Sequence, residues 1–348
     1  MKRSRTEASR PGRAAAIGVI ATVVLAACGG DARGPATDSS AVPHWRPFLH
    51  VTRVVDITTP RADGRLVLAA NGRLALLRPG ARPTAFARGT GGYATARRPE
   101  PYIARSPGQA VAGAGCRFPR DDVYALEPHG RTGVIAVTAA GRATRLVDLH
   151  LPGLLNGISF DTTGRFGHRL LVTATRKGRT TVVAIDCRSR VQTITTAAPA
   201  LEGGIVVAPV GFGRFAGDLI APDERSGRIL AIASSGRSRL VADSGLPHGG
   251  DIGVESGGFV PRQFGSGWRA YLADRVSPGN AHPGDDTVLA IGGGPLLRRG
   301  VRAGDLLLAS EGGAQTVAVR CRRTCSVTHV ADGPRVAHAE GHIAFARP

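Results

Sequence analysis

Leu201-Glu202-Gly203-Gly204-Ile205-Val206-Val207-Ala208-Pro209 is followed, after a Gly/Phe-rich bend, by Gly217-Asp218-Leu219-Ile220-Ala221. The stretch reads as one apolar strand, a turn and a second apolar strand, with an acid at the mouth of the first. Short apolar runs at 229–232 and 240–242 complete a four-strand unit.

The rest of the chain carries degenerate copies of this unit. The third strand repeats best, as apolar-Ala-apolar: Leu74-Ala75-Leu76, Ile135-Ala136-Val137, Val183-Ala184-Ile185, Leu230-Ala231-Ile232, Leu289-Ala290-Ile291 and Val317-Ala318-Val319. A strand precedes each copy, as at 66–69, 170–173 and 306–309. Copies of a four-strand meander at blade-like periods predict an all-β, six-bladed β-propeller. A β-sandwich would leave the repeat unexplained. The interval from Ala290 to Ala318 leaves the last copy without an obvious first strand, so five blades plus an irregular one is the other count. The closing run Glu340-Gly341-His342-Ile343-Ala344-Phe345 is a first strand with no second. The repeat from Arg65 has a second strand and no clear first. Pairing the C-terminal strand into that N-terminal blade is expected to close the ring and remove an open edge.

Composition agrees with many hairpins: 48 glycines and 23 prolines stand among 348 residues, with few aromatics. The net charge is +19, nearly all of it arginine. The arginines are spread evenly, without the dense basic face and interleaved aromatics of a nucleic-acid binder, so no nucleic-acid partner is expected. An anionic membrane surface suits the charge better.

The N-terminus reads as an address. Lys2, Arg3, Arg5, Arg10 and Arg13 precede a mostly apolar run, 14–27, that is too short to span a bilayer comfortably. It ends Leu25-Ala26-Ala27-Cys28-Gly29, which resembles the bacterial lipobox. The expected organisation is a lipoprotein signal peptide at 1–27, a lipid-anchored flexible tether at 28–48 and a propeller at 49–348. The lipid would sit on Cys28, on the outer face of the cell membrane, and the protein is expected to be a monomer. In such an oxidising compartment four remaining cysteines suggest disulfides. Cys321 and Cys325 flank a hairpin turn and would pair, leaving Cys116 with Cys187. A zinc site is the alternative, although the spacing to histidines does not suit a finger.

In a propeller the first strand of each blade lines the central channel, and residues at its start share one funnel. Those starts contain Glu100, Asn156, Glu202, Glu255 and Glu340. Clustered carboxylates repel one another unless a cation offsets them. All-oxygen ligands favour Ca²⁺ or Mg²⁺ over softer metals. His248 and Asp251 lie just upstream of Glu255. His338, Glu340 and His342 alternate along one strand and would share a face as a possible ligand trio.

Asn156-Gly157-Ile158-Ser159-Phe160-Asp161, with Gly164 and Leu170-Leu171-Val172-Thr173, resembles the repeat unit of six-bladed calcium-dependent propellers of the gluconolactonase, regucalcin and strictosidine-synthase-like group. Glu100-Pro101-Tyr102 is similar to that group's "E-G-P" metal ligand, with Pro101 in place of glycine. The resemblance implies one Ca²⁺ in the channel, held by a Glu, one or two Asn and an Asp that also serves as acid–base group. Glu100 and Asn156 match best. The expected Asp-Gly pair is replaced by His248-Gly249-Gly250-Asp251-Ile252.

Two functions fit this reading. One is a binding module that presents its funnel to a cell-wall glycan, a peptide or a small molecule, with a structural cation. The alternative is a metal-dependent lactonase or esterase-like hydrolase. There the cation would polarise a carbonyl and Asp251 or Glu255 would move the proton.

Overall fold

The computed structural model of the chain describes residues 41–87, 101–250 and 252–348. The expectations for Cys28, Glu100, Asp251 and the signal segment fall outside the described residues.

The described chain is an all-β propeller arrangement. Val54–Ile57, Leu66–Ala70, Arg73–Leu77 and Thr84–Ala87 form a four-stranded sheet in chain order. A second contains Ile103–Arg105, Val123–Glu127, Gly133–Val137 and Ala143–Asp148. A third contains Leu154–Phe160, Leu170–Arg176, Arg179–Ile185 and Val191–Pro199. The opening stretch supplies the fourth, from Val206–Val207 through Leu219–Asp223 and Arg228–Ile232 to Ser238–Asp243. Ala110–Val111 and Cys116–Arg117 form a small two-stranded sheet, and the other eight strands form one sheet whose two halves meet at a single parallel pair, Gly257 with His342.

That eight-stranded sheet corrects the expected closure. The C-terminal strand Ala339–Ala346 pairs antiparallel with Arg269–Asp274, not with the N-terminal sheet. Thr287–Gly292 and then Arg46–His50 complete this half, so the first and last described strands lie in one sheet. Val254–Phe259 pairs with Leu306–Ser310 instead of with the strand that follows it in sequence, and so supplies the first strand that the last copy lacked. The N-terminal sheet has its own first strand, Val54–Ile57. Asp56 interrupts that apolar run and hides it from a reading by hydrophobicity. The carboxylate is fully buried because it accepts the backbone N–H of Ile57 at 2.8 Å, Ile103 at 2.7 Å and His342 at 2.7 Å. A buried carboxylate is tolerated when it is hydrogen-bonded in this way.

The core lies between neighbouring sheets. Val67 and Leu74 of the first pack against Ile103 and Ile135 of the second. Leu171 and Val182 of the third meet Ile205 and Leu219 of the fourth. The ring closes where Ile57, Leu66 and Leu68 pack on Tyr271, Val288 and Ala344. Each fully buried Leu, Ile or Val contributes about 1.5–3 kcal/mol through removal of apolar surface from water, so the scarcity of aromatics is no obstacle. Both disulfides pair as expected. Cys321–Cys325 closes the Thr316–Cys321 hairpin, and Cys116–Cys187 ties residues 71 positions apart.

Candidate functional site

The first strands begin at one mouth of the channel, and three of them bulge there; in Val54–Ile57 the register shifts between Val54 and Asp56, which leaves Val55 as the extra residue. In Leu154–Phe160 the register shifts between Leu155 and Gly157, which leaves Asn156 as the extra residue. In Val254–Phe259 it shifts between Val254 and Ser256, which singles out Glu255. A bulge frees a residue from the ladder and re-aims its side chain. At the latter two starts the freed residue is polar. The backbones then run very close together. A Cβ on Gly204 would lie 2.4 Å from the Gly257 nitrogen and 2.4 Å from the Gly341 carbonyl oxygen, so only glycine fits there.

Asn156 and Glu202 meet: the Asn156 amide donates to Glu202 at 2.9 Å, and also to the Leu201 carbonyl at 2.7 Å. The Asn156 Oδ1 accepts the Thr173 hydroxyl at 3.1 Å. Its amide thus ties two sheets together.

The more densely polar group is centred on Glu340. The Tyr102 hydroxyl lies 2.5 Å from Glu255 Oε1 and 2.6 Å from Glu340 Oε2. A phenol has one proton to donate. It can therefore donate to only one of the two carboxyl groups at a time. Arg275 donates to Glu340 Oε1 at 2.8 Å. His338 Nε2 is 2.8 Å from Glu311 Oε1 and 3.6 Å from Glu340 Oε1. Tyr102, Glu255, Glu311, His338 and Glu340 are all buried.

Burial and neighbouring charge pull these groups apart. Burial alone would raise Glu340, but the Arg275 charge and the His338 hydrogen bond outweigh it and hold its carboxyl well below the usual range. Glu311 is pushed up, chiefly by burial, with the Glu340 and Glu224 charges adding to it. Burial opposes the charged His338 ring, yet the hydrogen bonds to Glu311 and Glu340 prevail and raise it.

Glu311, His338 and Glu340 present one ligand atom each within 4.8 Å of one another. One nitrogen and two carboxylate oxygens suit a borderline divalent metal such as Zn²⁺ or Mn²⁺ better than Ca²⁺. The set fits a cation when His338 is neutral, and the buried His338 Nδ1, with no hydrogen-bond partner, is compatible with either ring state. The trio differs from the His338–Glu340–His342 set expected from alternation. Gly341 has φ +69°, and the pairing with Tyr271 and Ala273 shifts register across it. His342 is thereby turned to Asp56 and the Ile205 carbonyl, and Glu311 takes the third place.

Of the residues singled out in the sequence, Glu255 and Glu340 are brought together, and Asn156 and Glu202 form a pair beside them, with Gly203 packed on the Glu255 side chain. His248 is exposed and bonded to the Leu246 carbonyl in its own loop. Glu311, Tyr102 and Arg275 were not anticipated as partners. Glu311-Gly312 after a strand repeats the acid–glycine signature of Glu202-Gly203 and Glu340-Gly341, a signal that was available.

No family model matches the chain, and no curated protein matches it in sequence. Solved structures resemble it in fold. Virginiamycin B lyase from Staphylococcus aureus is 11% identical with a TM-score of 0.41, over 81% of this chain and 87% of that one. A streptogramin B lyase is 12% identical with a TM-score of 0.41, over 82% of this chain and 86% of that one. A gluconolactonase from Xanthomonas campestris is 14% identical with a TM-score of 0.40, over 67% of this chain and 70% of that one.

Proposed function

We propose that the protein is a lipid-anchored, extracytoplasmic, six-bladed propeller that acts as a binding module, with a divalent cation at the acid-rich mouth of its channel. The observation that carries this reading is the convergence of Glu311, His338 and Glu340 within 4.8 Å. These three residues would hold the cation, with Glu255 and Tyr102 beside it. The expectation of Ca²⁺ on Glu100, Asn156, Glu202, Glu255 and Glu340 is the competing ligand set, and metal identity separates the two. The test is calorimetric titration of chelator-stripped protein with Zn²⁺, Mn²⁺ and Ca²⁺. Saturable binding of Zn²⁺ or Mn²⁺, weakened at least tenfold by His338→Ala, is expected. Ca²⁺ binding that ignores His338→Ala but falls with Asn156→Ala would return the site to the oxygen set. The address is tested by Cys28→Ser, which should release the protein from the membrane fraction.

One observation favours a second reading, a metal-dependent hydrolase of a lactone or ester. The Tyr102 hydroxyl bridges Glu255 Oε1 and Glu340 Oε2 at 2.5 and 2.6 Å. Such a group can deliver a proton to a leaving oxygen or take one from water. A bound cation would supply polarisation of a carbonyl. Arg275 and His338 would keep Glu340 ionised. Hydrolysis of a lactone panel that survives in Glu255→Gln would count against this reading.

A further inference from the structure

The opposite end of the channel has a different chemistry. The late residues of the first strands surround a cavity of about 200 Å³ walled by Ile57, Ile158, Val207, Phe259 and Ile343, with His342 also on its wall. Thr162 and Phe259 also line an adjoining groove of about 880 Å³. The two spaces thus lie side by side, and the groove alone is in the size range of small-molecule sites, about 300–1,000 Å³. The groove is basic. Arg262, Arg302, Arg320 and Arg322 line it against one acid, Asp305. Arg320 is bound to Asp305 at 2.6 Å, and Arg302 donates to the Leu297 and Val301 carbonyls. Arg262 and Arg322 are exposed and have no carboxylate partner among the described residues.

We propose that this end of the channel binds one single-chain anionic amphiphile, its apolar chain in the strand-lined cavity and its anionic head on Arg262 and Arg322. Apolar walls reward burial of a chain at roughly 25 cal/mol per Å². Two unneutralised guanidiniums at the rim reward a carboxylate, sulfate or phosphate head. A cavity of about 200 Å³ is narrow, and a single chain suits it better than a two-chain lipid. The site is separate from the acid-rich mouth, so neither proposal depends on the other.

Calorimetric titration of the full-length protein with decanoate, decanol and acetate tests this, beside sedimentation with phosphatidylglycerol vesicles. Saturable one-to-one binding of decanoate is expected, at least tenfold tighter than decanol, with none for acetate. Arg262→Ala with Arg322→Ala should weaken decanoate at least tenfold and leave decanol unchanged. Ser159→Trp, which fills the cavity from a half-buried position, should remove both. Equal affinity for decanol and decanoate, indifference to the arginine pair, or binding to vesicles without binding of decanoate would each overturn the proposal.

Discussion

The His342 ring meets the Asp56 carboxylate through Nδ1 at 2.9 Å, although 286 residues separate the two along the chain. The contact joins the closing strand to the first strand of the N-terminal sheet. The other ring nitrogen, Nε2, faces the Ile205 carbonyl at 3.1 Å. Both nitrogens thus face acceptors, and both bonds form only when the ring carries two protons. Burial opposes that charge, but the Asp56 carboxylate outweighs it and raises the His342 pKa above its ordinary value.

Stability is therefore expected to fall on the alkaline side. A raised folded pKa contributes stability that is fully present below the unfolded histidine value, near 6.5, and is lost as pH rises through the folded value. His338 acts in the same direction. Glu340, whose pKa is depressed, contributes above the ordinary carboxylate value and loses that contribution in acid. Denaturation midpoints should be highest between about pH 5 and 6.5 and should decline from there to pH 9. His342→Gln should flatten the decline, and an unchanged slope would show that the ring does not titrate with folding.

Removing the partner is expected to cost more than removing the ring. Asp56→Ala leaves a buried imidazolium and strips an acceptor from three backbone amides. Breaking one side of a buried pair typically costs about 3–5 kcal/mol. Urea denaturation of the variant at pH 6 measures the loss. A change below about 1 kcal/mol would mean the pair behaves like a surface contact.

Deletion of residues 340–348 should prevent a stable fold. The strand they form is flanked on both sides, by Arg269–Asp274 and by Val254–Phe259. Its loss exposes two sheet edges and the buried faces of Leu272 and Leu307. Circular dichroism melting of the truncated chain checks this, and an unchanged transition would rule the closure out.

The propeller itself was legible because its signal is repeated. The apolar-Ala-apolar strands of Leu74–Leu76, Val183–Ile185 and Leu230–Ile232 all fall inside observed third strands. The order in which the last strands associate was not legible. Pairing of Val254–Phe259 with Leu306–Ser310 skips two intervening strands, and no local pattern encodes such a skip. The site divides the same way. Glu255 and Glu340 stand out as acids before glycine or serine, whereas Tyr102 joins them only through a hydroxyl contact across 153 and 238 residues. His342 was misplaced because strand alternation was assumed to run through Gly341, whose positive φ breaks it.

The two disulfides should differ in weight. In the chain-entropy account, stabilisation grows with the length of the closed loop, giving about 4 kcal/mol for Cys116–Cys187 and about 2 kcal/mol for Cys321–Cys325. The first spans 71 residues and ties Cys116–Arg117 to the turn after Arg179–Ile185, and the second spans 4 within one hairpin. Thermal melts of Cys116→Ala/Cys187→Ala and Cys321→Ala/Cys325→Ala should show the larger drop for the former. The reverse order would mean that hairpin strain dominates over loop closure.

Gly341→Ala tests whether the close approach at the axis is required. The residue has φ +69°, and a Cβ there would lie 2.4 Å from Asp56 Oδ1. A left-handed conformation costs a non-glycine residue about 1–3 kcal/mol. The clash adds to that cost, because Asp56 is held by three backbone amides and cannot retreat without losing them. The variant should therefore lose more than the backbone cost alone, and it should also weaken cation binding at Glu340 by shifting the strand that carries it. Gly64→Ala serves as the control: it has φ +79° and open space around the added carbon, so it should show the backbone cost without the clash. Equal destabilisation of the two variants would show that the crowding at Asp56 contributes nothing beyond backbone strain.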